Sequence, residues 1–214
     1  MKIPIVFFDC DGVLVTNFLW PNLHKAVGLS DELDKKWWDE YYSGIITNEQ
    51  WVKNVADFYR KQKLNKILFE KTLSDIKFNE EAFEIFNYLK EQKILTAIIS
   101  SGIDFYVKKV AKVLNPDYWR ANATFHFDNN GLFTKWDYLT DDNQTKVIQI
   151  NEICEELGIK PTDTIFVGDT DNDLEAFKLT RHGILYKGKN PDHIKLAWKS
   201  IGNLMQIKDI IESA

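Results

Sequence analysis

Apolar positions recur along this chain with two different periods. Short, nearly continuous runs, "IPIVFFD" from Ile3, "ILTAIISS" from Ile94, "TIFVGD" from Thr164 and "GILYKG" from Gly183, have the make-up of strands buried on both faces. Between them lie longer stretches with apolar residues three and four apart: Glu80–Lys93, Asn143–Gly158 and "NDLEAFKL" from Asn172. These read as amphipathic helices, with Gly158 as the C-cap of the second. Strand and helix alternating in this way predict an α/β fold: a doubly wound, parallel, Rossmann-like sheet with helices on both faces.

Two stretches leave that rhythm. After the first strand the alternation stops and resumes only near Glu80; the interval is helix-compatible and aromatic, with Phe18, Trp20, Trp37, Trp38, Tyr41, Tyr42, Trp51, Phe58 and Tyr59. The reading is a core of residues 1–15 and 80–214 interrupted by a small helical domain at 16–79. The second departure is "ATFHFDNNGLFTKWDY", where Asn130-Gly131 between alternating apolar residues signals a β-hairpin that projects from the sheet. Such a hairpin could serve as a flap or a dimer contact, and monomer versus homodimer is left open.

Composition narrows the class. With 214 residues, 44% hydrophobic, the chain can bury a sizeable core. A net charge of -5 gives no electrostatic reason to expect nucleic acid or an anionic membrane as partner. Cys10 and Cys154 lack metal-type or redox-type spacing, and the apolar run Ile3–Phe8 is too short for a signal segment or a membrane span. A cytoplasmic location is expected.

In a sheet of this kind ligands sit beyond the carboxyl ends of the strands. The first predicted strand ends in Asp9-Cys10-Asp11-Gly12, the second in Ser100-Ser101-Gly102 and the third in Gly168-Asp169-Thr170-Asp171-Asn172-Asp173, while Lys146 opens the helix before the third. Taken singly, each has an ordinary explanation as a turn, a cap or a solvated charge. Together they fall where one site would form. Asp9, Asp11, Asp169 and Asp173 would repel one another unless a cation or protons intervened, and an all-oxygen donor set favours Mg²⁺ beside a phosphate. Lys146, the Ser100 hydroxyl and backbone N–H groups near Ser101 and Gly102 could take the phosphate oxygens, which implies phosphoryl transfer.

This set of residues resembles the haloacid dehalogenase superfamily of aspartate-dependent phosphatases and phosphotransferases. Asp9 and Asp11 match its DxD motif, Ser100 its second motif, Lys146 its third, and Asp169 and Asp173 its GDxxxD fourth. The resemblance implies that Asp9 is the nucleophile that forms an aspartyl-phosphate and Asp11 the general acid and base. It also implies Mg²⁺ held by Asp9, Asp169 and the Asp11 backbone carbonyl, with Asp173 and Asn172 supporting from behind. Residues 16–79 then correspond to a cap over the site. "SSGID", "NQTKV", "GDTDNDL" and "YYSGIITNEQW" are most similar to the phosphoserine phosphatase-like branch.

The chain departs from that branch where substrate is read. Phe18 stands about where a glutamate for the substrate amine is expected, no arginine for its carboxylate is evident after Gly44, and Lys53 and Arg60 are the nearby cations. Phe18 and Trp20, close to the nucleophile, are the candidate aromatic substrate contacts. The resulting expectation is a Mg²⁺-dependent phosphatase acting on a small phosphorylated metabolite: phosphoserine-like, a sugar phosphate or a nucleotide. Rival readings are a phosphomutase of the same superfamily, a phosphoacceptor signalling domain, and a silent binding protein built on the fold.

Overall fold

The computed structural model describes residues 3–213. A six-stranded parallel sheet forms its centre, built from β1 (Ile5–Phe8), β2 (Leu95–Ile99), β3 (Tyr118–Arg120), β6 (Ile165–Gly168), β7 (Gly183–Tyr186) and β8 (Lys199–Ile201) in the order β3-β2-β1-β6-β7-β8. All four strand-like runs of the sequence are strands. The edge strands β3 and β8 are three residues each, too short for a periodic signal.

Strand alternation divides the apolar side chains between two cores. Val6 and Phe8 of β1 join Ile98, Val167 and Ile184 on one face, packed by α5 (Glu80–Glu91) and α6 (Asp104–Leu114) through Ile85, Leu89, Val107 and Val110. Ile5 and Phe7 join Ala97, Phe166 and Leu185 on the other, covered by α7 (Asp142–Leu157) and α8 (Leu174–Thr180) through Ile150, Ile153 and Phe177. A strand buried on both faces has no polar side to mark, which is why these runs read as continuous apolar stretches. Short helices α9 (Pro191–Leu196) and α10 (Gln206–Glu212) complete the C-terminal part.

Between β1 and α5 the chain forms α1 (Leu19–Ala26), α2 (Asp31–Tyr42), α3 (Asn48–Lys61) and α4 (Lys66–Thr72). Ser30 caps α2 by accepting from Leu33 N, and Thr47 and Gln50 form a reciprocal capping box at α3. The hairpin is β4 (Ala123–Phe127) and β5 (Phe133–Tyr138), a separate two-stranded sheet. Gly131 takes a left-handed φ of 75°, and Asp128 Oδ1 accepts from Asn130 N and Leu132 N at the tip.

This hairpin lies on the helical segment. Lys66 N donates to Gly131 O and Phe133 N to Leu64 O, both at 2.8 Å, and Arg60 donates to Thr134 O at 2.6 Å. Phe125 and Trp136 stack at 5.0 Å beneath Tyr59, Trp20 and Phe69. Much of the aromatic content of the helical segment is therefore spent on a shared core with β4 and β5.

Candidate active site

Strand β1 runs to β2 on one side and pairs with β6 on the other, so the chain ends leaving β1 and β6 diverge and open a crevice. Asp9 leaves β1, tied by Asp9 N to Val167 O at 2.9 Å, and Asp169 leaves β6 beside it. Leu14 N and Val15 N turn back onto Cys10 O, and Gly12 N donates to Val15 O, curling Asp11 into the crevice. Gly12 has φ +82°, and a Cβ there would lie 2.2 Å from Asp169 Oδ2, so only glycine lets the two strand ends approach.

Lys146 is the central charge. Fully buried on α7, its Nζ is 3.0 Å from Asp9 Oδ1, pairs with Asp173 Oδ1, and donates to Asn172 Oδ1 at 3.1 Å. Asp173 spends its second oxygen on the backbone, accepting from Asp169 N at 2.8 Å and Thr170 N at 3.0 Å. A side chain at Gly168 would occupy the space of this carboxyl group. Asp173 thereby fastens the β6 loop to Lys146. Asp141 caps α7 by accepting from Asn143 N and Gln144 N, and Gly158 closes it in the left-handed conformation, so the lysine sits on a helix fixed at both ends.

Ser100 and Ser101, both buried, follow β2. Ser100 Oγ accepts from Gly102 N at 3.0 Å, and Gln149 of α7 donates to Ser100 O at 3.4 Å. Ser101 Oγ donates to Asp142 O at 3.3 Å. The hydroxyl and the backbone of the second strand end thus reach the same crevice as the acids.

Electrostatics follow from burial. It pushes the Asp9 carboxyl well above the carboxylate range, against the pull of Lys146, and raises Asp11 to about 7. Burial, then the Asp173 charge, raises Asp169 to about 7. For Lys146 burial opposes the charge, but Asp173 and Asp9 override it and hold the ammonium more firmly than usual. Such groups are underfilled with positive charge. Asp11 Oδ1 and Asp169 Oδ1 are buried with no partner among the described residues, and one carboxylate oxygen each of Asp9, Asp169 and Asp173 lie within 4.8 Å of one another. Because Lys146 and two backbone N–H groups already occupy Asp173, the free ligand capacity belongs to Asp9 and Asp169. An oxygen-only set with orphaned carboxylate oxygens fits a hard divalent cation such as Mg²⁺.

Above these groups lies a cavity of about 790 Å³, with Asp9, Asp11, Ser100, Ser101, Gly102 and Asn172 among its lining residues. Phe18 and Trp20 line it as well. Lys53 and Arg60 are not brought to it: both pair with Asp57 on the exposed face of α3. Sequence reasoning passed over α2, which contributes Asp31, Asp34, Lys35, Trp38, Asp39 and Tyr42 to the wall, and over His24, Trp51, Asp142 and Asp171. The signal was present in α2 as an i, i+3, i+4, i+7, i+8, i+11 stripe, but a charged stripe on a helix ordinarily faces water.

The haloacid dehalogenase-like hydrolase family matches residues 3–179. The chain belongs to that family. It is 30% identical over 184 residues to the phosphoserine phosphatase of Methanocaldococcus jannaschii, covering 83% of this chain and 82% of that one. Among solved structures, a phospho-aspartyl intermediate analogue of phosphoserine phosphatase superposes with a TM-score of 0.82 at 27% identity, over 99% of this chain and 100% of the other. A substrate-bound phosphoserine phosphatase complex does so with a TM-score of 0.82 at 26% identity, over 99% of each. The hydrolase is thus an enzyme of the phosphatase type, on the phosphoserine phosphatase-like branch. Among the described residues no helix is long and apolar enough to cross a membrane.

Proposed function

We propose that this hydrolase is a Mg²⁺-dependent phosphatase that cleaves small phosphate monoesters through an aspartyl-phosphate on Asp9. The observation that carries the reading is the buried Lys146, bonded to Asp173 and to Asp9, which lines a cavity shared with Asp11 and the Ser100 loop. Relatives named as phosphoserine phosphatases, one solved as a phospho-aspartyl intermediate analogue, support the same chemistry.

In this reading Ser100 Oγ and backbone N–H groups of the Ser101-Gly102 turn bind phosphate oxygens, and Lys146 neutralises charge at Asp9. An Asp9 carboxylate oxygen attacks phosphorus as the P–O bond to the alcohol breaks. Asp11, whose burial holds a proton near neutral pH, donates it to the departing oxygen. The ionised Asp11 then takes a proton from water, whose oxygen attacks the acyl phosphate and releases inorganic phosphate and free Asp9. Asp9, Asp169 and the Asp11 carbonyl would hold Mg²⁺, which when bound lowers the repulsion between carboxylate and phosphate. Asp173 and Asn172 position Lys146 and the β6 loop. Residues 16–79 act as a cap that excludes bulk water and meets the alcohol portion of the ester.

Asp9→Asn is the deciding variant. With Mg²⁺ and a panel of phosphate monoesters, wild type should release phosphate without an added acceptor, and Asp9→Asn should release none while keeping its far-UV circular dichroism. Retained Mg²⁺-dependent turnover in Asp9→Asn would remove Asp9 from the nucleophile role, and release only with an acceptor alcohol would favour a mutase.

A further inference from the structure

Helix α2 gives the cavity a wall for which hydrolysis alone has no use. Asp31, Asp34, Lys35, Trp38, Asp39 and Tyr42 form one helical face and all line the cavity. No residue of α2 is buried. Packing contacts run through Trp37 on Phe58 and Tyr41 on Trp51, each with ring centroids 6.2 Å apart, and through Trp38 on Trp51 at 6.0 Å. Trp38 and Tyr42 remain 41% and 53% exposed and hold their rings 4.8 Å apart at the cavity wall. Two large aromatic side chains left open there are an expense for stability and an asset for a ligand.

The charges around them are predominantly acidic. Asp31, Asp34 and Asp39 from α2 are joined by Asp142 and Asp171 from the sheet side. Among the described residues Lys35 is the sole Lys or Arg lining the cavity, and it pairs with Asp39. Lys146, which does not line it, is committed to Asp9 and Asp173. Asp31 has no cationic partner among the described residues. A carboxylate on the leaving alcohol would therefore meet five acids against one lysine. An ammonium would meet both acids and the aromatic rings of Trp20, Trp38 and Tyr42, a composition suited to organic cations.

Two buried polar groups stand beside this wall, on α1 and α3. Trp51 Nε1, on a side chain 9% exposed, and His24 Nε2, on one 4% exposed, have no partner among the described residues, and both residues line the cavity. Asp34 Oδ1 lies 2.9 Å from His24 Nδ1.

We infer that the enzyme's substrates are phosphate monoesters whose alcohol carries an ammonium group, primary or quaternary, and no carboxylate. The inference rests on the hydrolase reading above and refines it. Phosphoserine, the substrate named for its relatives, has the amine but also a carboxylate that this wall repels.

The test compares matched esters on the full chain with Mg²⁺, with p-nitrophenyl phosphate as the cation-free reporter. Phosphocholine and its carbon isostere 3,3-dimethylbutyl phosphate differ only in charge, and phosphoethanolamine and phosphoserine differ only in the carboxylate. In each pair kcat/KM should favour the first by at least about tenfold. The double variant Asp31→Asn, Asp34→Asn and the single variant Trp38→Leu should shrink the phosphocholine preference, mainly through KM. Equal kcat/KM within either pair, with p-nitrophenyl phosphate turned over, overturns the cationic reading and leaves the hydrolase intact. Absent turnover of every ester, the reporter included, overturns the hydrolase reading itself. Tryptophan-fluorescence titration of Asp9→Asn then still judges the wall: phosphocholine should bind more tightly than the isostere, and equal binding overturns the inference.

Discussion

Replacing Lys146 by methionine removes the charge while keeping a side chain of similar length. In the native protein the ammonium is fully buried between two carboxylates, 3.0 Å from Asp9 Oδ1 and bonded to Asp173 Oδ1. Removing one partner of a buried pair leaves uncompensated charge and costs about 3–5 kcal/mol. For a chain of this size that is a fall in Tm of about 6–20 °C. The cost must depend on pH. Lys146 is the one influence lowering Asp9, which burial pushes upward. Without it the folded protein binds the Asp9 proton still more tightly than the unfolded chain, whose aspartates titrate near about 3.9. A carboxyl raised on folding stabilises the fold below its unfolded value and loses that contribution as pH rises through its folded value. The deficit of Lys146→Met is therefore largest at neutral pH and shrinks on acidification. Urea denaturation in chelator at pH 7.5 and pH 5.0, followed by far-UV circular dichroism, measures it against wild type. A loss below about 1 kcal/mol at pH 7.5, the range of an exposed pair, would refute the buried-charge reasoning. So would an equal loss at both pH values.

Asp11→Asn should lower kcat/KM, which reports the first displacement, about 10²–10⁴-fold on alkyl phosphates and far less on p-nitrophenyl phosphate, whose leaving group needs no proton; equal losses of kcat/KM on both would take the general-acid role from Asp11. Gly12→Ala places a Cβ on Asp169 Oδ2 at a φ of +82°, so it should cost about 1–3 kcal/mol and weaken Mg²⁺ binding measured by calorimetry. Unchanged Mg²⁺ affinity would mean that the close approach has no part in the metal site. Tyr59→Phe should leave thermal stability unchanged or raise it by up to about 1 kcal/mol, because the Tyr59 hydroxyl is buried without a partner among the described residues. A clear loss in differential scanning calorimetry would reveal a partner for that hydroxyl.

The readable part of the site is the part attached to strand ends. Asp9, Ser100 and Asp169 follow β1, β2 and β6 directly, and parallel strands place their carboxyl ends together, so locating the strands brings these residues to one edge. Lys146 was legible because α7 is long and regular, although its partner Asp173 could be identified only by spacing. The wall formed by α2 was not legible. Its acidic and aromatic stripe has the periodicity of a solvated helix face, and its orientation depends on contacts far away in sequence. Lys53 and Arg60 illustrate the converse: proximity along the chain suggested substrate contacts, yet α3 turns them outward to Asp57.

By itself the sequence determined the α/β architecture, the central strands, the hairpin and the acids, hydroxyl and lysine at the strand ends, because each is written in short-range periodicity or turn chemistry. Tertiary structure alone decided that β4 and β5 join the core of the helical segment, that Asp173 spends both oxygens on Lys146 and the β6 loop, and that α2 shows acids and open rings to the cavity. Periodicity states which side chains share a face of an element. What that face meets is set by the packing of elements distant along the chain, and in this hydrolase that packing shapes the cavity above Asp9 and Asp11.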